Sequence, residues 1–141
     1  MLRKGTQFAY SVWCGLEVEG AFGWVVRAIQ QHGDGAISLR PVPDATVFGT
    51  LEVAFPALRE VGFSDISAES VPSVWISDDP TTPYHYFHEG TVCGGALLRP
   101  QPAASKQAIC LSIIGKVREH CGPGDKLSIP MPAVLVSASA V

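Results

Sequence analysis

Histidine, glutamate and cysteine side chains lie close together in one segment of the chain. His85 and His88 are three residues apart in a stretch whose pattern predicts a helix, and Glu89 and Cys93 follow them. Side chains at this spacing can share one helix face, where they could bind a metal ion or transfer a proton. No second cluster of cysteine or histidine supplies a fourth ligand. The sequence therefore favours ordinary polar or pocket-lining histidines and predicts no metal site.

Cys14 is a second chemically active candidate, because it follows the end of a predicted strand. No base lies near it in the sequence, and a free cysteine is usually a small buried hydrophobic side chain. We therefore assign no catalytic residue. The other cysteines are far from it and from one another, so reduced structural thiols are expected rather than disulfides. Glu17 and Glu19 end the first apolar stretch early and no small-x-small cleavage site follows, so we expect no signal peptide and a cytoplasmic protein. They are Cys93, Cys110 and Cys121.

The sequence lacks the glycine-rich motifs that hold nucleotide cofactors. It contains no G-x-G-x-x-G, no P-loop and no G-x-S-x-G nucleophile elbow, so it predicts no cofactor. Its aromatic side chains could instead line an apolar ligand pocket, although core packing explains most of them equally well.

Composition limits the classes of partner. The 141 residues fit a single domain spanning the whole chain, residues 1–141. Charged residues make up 16%, against an average of about 25%. Part of the surface is therefore expected to be an interface with a second copy, the alternative being a polar but uncharged surface. The net charge is −3 with scattered basic residues, and no apolar run approaches about 20 residues, so we expect neither a nucleic-acid partner nor a membrane span.

The pattern of apolar and turn residues predicts an α/β protein. The run from Phe8 to Trp13 is nearly continuous and apolar, which is typical of a strand covered on both faces, as inside a mostly parallel sheet. A helix is predicted over residues 50–61, but Pro56 conflicts with a regular helix there. Either the regular part begins near Phe55 or the first turns are distorted. The predicted strands are residues 6–14, 63–76 and 126–138, and the predicted helices are residues 21–31, 50–61, 82–98 and 103–120.

Several segments, taken in order, resemble class I S-adenosylmethionine-dependent methyltransferases that act on small molecules. The L-R-K-G turn of residues 2–5 and the strand after it resemble the family's L-R-P-G-G turn and fifth strand. The L-R-E-V-G-F segment of residues 58–63 resembles the junction between a helix and the sixth strand. Further segments resemble a post-strand helix end, a late helix and the seventh strand; they are residues 28–34, 89–99 and 129–136.

This resemblance covers nearly the whole chain, but only the carboxyl-terminal half of such an enzyme. It implies that the cofactor-binding half is absent, so no cofactor-binding or catalytic residue is transferred. It also implies a small mixed sheet of three or more strands with about four helices, whose last strand is antiparallel and central, between residues 8–14 and 63–76. The strand that would pair with residues 8–14 in the family is missing. We therefore expect a second copy, or helices, to cover this edge, with Phe8, Tyr10 and Val12 at the homodimer contact.

These observations together predict a non-catalytic domain that binds a small, fairly apolar molecule, as a homodimer, in a pocket like a methyltransferase acceptor pocket. Such a pocket would lie near the carboxyl end of the first strand, because ligands prefer that end of α/β sheets. Two alternatives remain open: half of a split methyltransferase that another chain completes, and an interaction domain without a small ligand. The predicted pocket residues are Trp13, Cys14, Phe22, Trp24, Tyr84, His88 and Val92.

Overall fold

The computed structural model describes residues 2–41, 44 and 46–141. These residues form two compact units: the first takes the described residues of 1–18, 43–73 and 131–141, and the second those of 19–42 and 74–130. The strands of the described chain are β1 (Gln7–Trp13), β2 (Phe63–Val71), β3 (Val74–Ser77), β4 (Leu127–Pro130) and β5 (Ala133–Ala140). Its α-helices are α1 (Ala21–His32), α2 (Leu51–Glu60), α3 (Thr82–Gly90), α4 (Val92–Leu98) and α5 (Ala103–Cys121). The predicted α/β class is confirmed.

A three-stranded antiparallel sheet forms the centre of the first unit. Its strand order is β1-β5-β2, so β5 lies between the other two strands. β1 pairs with β5 without a break, from Gln7 opposite Ser139 to Trp13 opposite Ala133. The expected small sheet with an antiparallel, central last strand is therefore confirmed.

The two faces of β1 differ. Phe8, Tyr10 and Val12 are half-buried and alternate with exposed residues such as Ala9 and Ser11. The expectation that β1 is covered on both faces inside a mostly parallel sheet is wrong, because one face is exposed and the pairing is antiparallel. The small alanine and serine side chains tolerate exposure, so the run reads as continuous although only every second residue is packed.

Proline interrupts two of the predicted strands. Residues 63–76 are predicted as one extended segment, but Pro72 lies between β2 and β3, which belong to different sheets. Pro132 lies likewise between β4 and β5 in the segment predicted as residues 126–138. Proline cannot donate a ladder hydrogen bond, so it favours such ends. β3 and β4 pair with each other, antiparallel, in the second unit.

The core of the second unit includes a buried stripe along α5. Ile109, Ile113 and Val117 are fully buried and repeat every four residues, which places them on one helix face. α1 packs on α5, and Trp24 and Val25 are among the buried residues of α1. The predicted helices over residues 21–31 and 103–120 are confirmed. Within the described residues, no helix combines the length and apolar character that crossing a membrane requires.

The helix predicted over residues 82–98 is two helices, α3 and α4, separated by Thr91. Thr91 has an extended backbone, and its hydroxyl accepts a hydrogen bond from the Gly94 N–H at 3.1 Å. The same hydroxyl donates to the Phe87 carbonyl at 3.0 Å. A capping threonine starts a new helix here. α2, by contrast, runs through Pro56 from Leu51, so a start near Phe55 is wrong.

Two glycines, one inside α5 and one directly after it, yield opposite predictions for stability. Gly122 follows the helix with φ +74°, so Gly122→Ala is expected to lower the free energy of unfolding by about 1 kcal/mol. Gly115 lies inside α5, where an added Cβ meets no described atom within 4 Å. Gly115→Ala is therefore expected to raise the free energy of unfolding by about 0.5–1 kcal/mol. Chemical denaturation measures both signs, and a loss of stability in both variants would contradict the helical position of Gly115.

Candidate functional site

An apolar groove lies beside β1 in the first unit and is called the β1 groove here. Its volume is about 490 Å³, which falls in the range of small-molecule sites. Most of the lining is apolar or aromatic, so the chemistry that it offers is burial of an apolar surface rather than bond making. The lining residues are Phe8, Tyr10, Val12, Asp44, Phe48, Ala57 and Leu58.

A short 3₁₀ helix, Val47–Gly49, forms one wall of the β1 groove. The Tyr10 hydroxyl donates a hydrogen bond to the Phe48 carbonyl at 2.8 Å, and burial raises the pKa of Tyr10, so the hydroxyl keeps its proton at neutral pH. A Cβ at Gly49 would lie 2.8 Å from Cγ2 of Val12, so glycine permits the close approach of this wall. These contacts tie the wall to β1.

Aromatic contacts position the other end of the β1 groove. The Phe8 ring lies 5.2 Å from the Phe63 ring and 5.7 Å from the Tyr10 ring, measured between centroids. These separations are within the range of favourable aromatic pairs. A ligand in the groove would therefore meet an aromatic surface that packing already holds in place.

Asp44 supplies the carboxylate of the described groove lining. It accepts hydrogen bonds from the backbone N–H of Thr46 at 2.8 Å and from the Thr46 hydroxyl at 2.7 Å. These two bonds, the backbone one first, hold the pKa of Asp44 below its ordinary value. The carboxylate is therefore ionised at neutral pH and disfavours an anionic group in the groove.

Two predicted pocket residues, Trp13 and Cys14, line a second cavity of the first unit, also of about 490 Å³. Cys14 is buried, and burial raises the pKa of its thiol, with a further contribution from Glu17. A raised pKa disfavours the reactive thiolate. This environment offers no support for a nucleophilic role of Cys14.

The other predicted pocket residues lie in the second unit. Trp24 is only 2% exposed, and the Phe22 ring lies 6.0 Å from the Phe87 ring. Val92, by contrast, is 88% exposed. A pocket that these residues share with those of the first unit stays a prediction.

Tyr84 and His88 are brought together on α3, with their rings stacked at 5.6 Å between centroids. His88 Nδ1 lies 2.5 Å from a Glu89 carboxylate oxygen, and the His85 ring meets the Tyr84 ring edge-on at 5.5 Å. Within the described part of the chain, no group of three or more histidine, cysteine, aspartate or glutamate residues is placed to hold a metal ion. The local geometry is that of a partly packed aromatic cluster.

The second unit has a smaller cavity, of about 340 Å³, near the end of α1. Beside it, the buried Gln101 side chain accepts a hydrogen bond from the Asp34 N–H at 2.8 Å and donates one to the Leu97 carbonyl at 3.0 Å. Both polar ends of this amide are therefore satisfied within the fold. Gln101 has a structural explanation that needs no ligand.

A scan of this chain against known protein families and a search of curated proteins found no match.

Sequence reasoning did not predict the β1 groove. Phe8, Tyr10 and Val12 are predicted as a dimer edge, and they line the groove as well. Phe48 and Leu58 carry no sequence signal for a site. Phe48 lies in a connection rich in proline and glycine, and Leu58 lies on a predicted helix. Only the path of the chain between β1 and α2 brings them opposite the strand.

Proposed function

We propose that this chain is a non-catalytic domain that binds a small, fairly apolar molecule in the β1 groove and acts as a homodimer. The single observation that carries the proposal is the groove itself, an apolar and aromatic concavity of about 490 Å³. Burial of apolar surface contributes about 25 cal/mol per Å², so such a site favours ligands with a compact apolar body. The four free cysteines suit a reducing compartment, which supports a cytoplasmic protein.

Charge narrows the class of ligand. Asp44 is the carboxylate at the groove, and its hydrogen bonds to Thr46 keep it ionised at neutral pH. Its negative charge repels an anionic ligand and tolerates a neutral or cationic one. The proposed ligand is therefore a neutral or weakly basic apolar molecule rather than a fatty acid or a phosphorylated compound.

A split methyltransferase remains the second candidate, because one observation favours it. The order β1-β5-β2, with β5 antiparallel to both neighbours, agrees with the order that the resemblance implies for the last three strands of that family. The acceptor side of such an enzyme would use the same kind of apolar groove. Calorimetry with S-adenosylmethionine, on the isolated chain and on the chain with any co-purifying partner, separates the candidates. Binding only when the partner is present would support the split methyltransferase, and no binding in either case would support the non-catalytic domain.

The proposal is tested with N-phenyl-1-naphthylamine, a neutral apolar probe that fluoresces on burial. We expect saturable binding to the wild-type chain and about tenfold weaker binding to Leu58→Gln, because burial of the half-buried Leu58 side chain against the probe contributes about 1.5 kcal/mol. Leu51→Gln is the matched control. Leu51 lies on the same helix and is exposed, but it is not among the groove residues, so its substitution should leave the affinity unchanged.

Two results would contradict the groove as the binding site. One is the absence of saturable fluorescence with the folded wild-type chain. The other is an equal loss of affinity in Leu58→Gln and Leu51→Gln, which would indicate binding at an unspecific apolar surface. An anionic probe such as 8-anilinonaphthalene-1-sulfonate should bind more weakly than the neutral probe, and Asp44→Asn should narrow that difference.

A further inference from the structure

β1 is an edge strand, and its outer backbone groups have no partner among the described residues. The Cys14 N–H donates to the Pro132 carbonyl at 3.0 Å, and the Ala140 N–H donates to the Thr6 carbonyl at 2.9 Å. Even-numbered residues of this strand therefore bond to β5. Because bonding alternates along an edge strand, the N–H and C=O groups of the odd-numbered residues point outward. These residues are Gln7, Ala9, Ser11 and Trp13, and all four are exposed.

The two edges of this sheet are not equivalent. β2, at the other edge, has a register shift between Ser64 and Ser67, and Asp65 there adopts φ +48°. Pro72 follows β2 directly. Bulges and prolines of this kind prevent a further strand from pairing. β1 contains no charged residue and no proline, and its pairing with β5 is regular over its whole length, so β1 presents the open edge.

We infer that a second copy of this chain pairs antiparallel with β1, with Tyr10 on the two-fold axis. Tyr10 is the middle residue of the seven in β1, so this register pairs every outward residue. Gln7 then lies opposite Trp13 of the second copy, and Ala9 opposite its Ser11. A register centred on Ala9 or on Ser11 would leave outward groups unpaired. The chosen register makes about eight backbone hydrogen bonds and joins two three-stranded sheets into one.

The side chains of β1 favour a second copy over an unrelated strand. In this register Phe8 lies opposite Val12 of the second copy, on the face that lines the β1 groove. An aromatic side chain opposite a β-branched one is a stabilising cross-strand pair, and two-fold symmetry makes the pair twice. The low charged fraction of 16% adds no repulsion to this contact.

The dimer also has a consequence for the β1 groove. Each copy places Phe8 and Val12 at the open side of the groove of the other copy, so the groove gains a wall that the monomer lacks. This part of the inference rests on the proposed function. The pairing of the two edges does not depend on ligand binding, since it is argued from the backbone groups and the side chains of β1.

A charge-swap experiment tests the register. Ala9→Lys with Ser11→Lys places like charges directly opposite each other twice, whereas Ala9→Lys with Ser11→Glu places opposite charges there. Both positions are exposed, so both variants should fold, which circular dichroism verifies. Analytical ultracentrifugation should show a wild-type dimer, a dissociation constant raised about tenfold or more in the double-lysine variant, and a retained dimer in the lysine–glutamate variant.

Cysteine cross-linking gives a second readout that does not depend on charge. Directly opposite residues of a non-hydrogen-bonded pair have Cα atoms about 4.5 Å apart, a separation that a disulfide can span. Tyr10→Cys should therefore cross-link into a dimer on mild oxidation, and Ala9→Cys should do so far less, since its opposite residue is Ser11.

Three results would overturn the inference: a wild-type monomer at high micromolar concentration, equal dissociation of both charge variants, or equal cross-linking at positions 9 and 10. A monomer that binds N-phenyl-1-naphthylamine would remove the dimer and leave ligand binding in the β1 groove intact. A dimer that does not bind the probe would do the reverse.

Discussion

Replacement of Trp24 by alanine is expected to lower the free energy of unfolding by about 3–5 kcal/mol. Trp24 is 2% exposed on α1, its ring lies 5.5 Å from the His120 ring, and its indole N–H donates a hydrogen bond to the Glu19 carboxylate. Replacing tryptophan, the largest of the side chains, by alanine would leave a cavity that the surrounding helices fill only in part. Thermal or chemical denaturation followed by circular dichroism measures the loss.

Two further variants identify the source of that loss. Trp24→Phe keeps most of the packing and removes the hydrogen bond, so it should cost about 1–2 kcal/mol. Trp13→Ala is the matched control, because Trp13 is 39% exposed and should cost less than about 1 kcal/mol. Equal losses at the two tryptophans would contradict the burial of Trp24. Both tryptophans are also predicted pocket residues, so a large loss of stability at Trp24 would indicate a packing role for that side chain.

Replacement of Ile113 by alanine is expected to lower the free energy of unfolding by about 2–5 kcal/mol. Ile113 is fully buried at the middle of the stripe on α5, where α1 packs on α5. Helical propensity slightly favours alanine over isoleucine, so the loss reflects packing and gives a lower bound for it. Denaturation of the purified variant, with the slope against denaturant checked for change, gives the value.

Leu111→Ala provides the comparison on the same helix. This substitution removes a volume similar to that removed by Ile113→Ala, but Leu111 is 59% exposed. It should therefore change the free energy of unfolding by about 0.5 kcal/mol or less. A large effect at Leu111 together with a small one at Ile113 would mean that α5 is rotated about its axis. Such a result would also overturn the placement of Ile109 and Val117.

The local sequence pattern predicts those helices and strands whose ends are set by residues within or next to them. Pro102 and Gly122 mark the two ends of the helix predicted over residues 103–120, so no contact with a distant residue is needed to predict it. The strand at residues 6–14 was found for the same reason. The spacing of apolar residues does not predict the break at Thr91. The break depends on one local hydrogen bond, from the Gly94 N–H to the Thr91 hydroxyl, which replaces a bond of the continuous helix.

Sheet membership and the candidate site depended on contacts between distant residues. The sequence predicts β2 and β3 as one strand. Whether Pro72 separates two strands depends on their pairing partners, and β2 pairs with β5 whereas β3 pairs with β4. The β1 groove needs Phe48 opposite Tyr10, a contact across 38 positions of sequence. The strand order β1-β5-β2, in contrast, was anticipated through the resemblance to methyltransferases rather than through any property of the strands themselves.

The position of β5 sets the order in which the chain can fold during synthesis on a ribosome. β1 and β2 are each hydrogen-bonded to β5 and not to each other, so neither can join its sheet until residues 133–140 have left the exit tunnel. The second unit ends at residue 130, so it leaves the tunnel just ahead of β5. Until β5 arrives, Phe8, Tyr10 and Phe63 remain on unpaired segments, which is the interval in which a nascent chain is most exposed to chaperones and to aggregation.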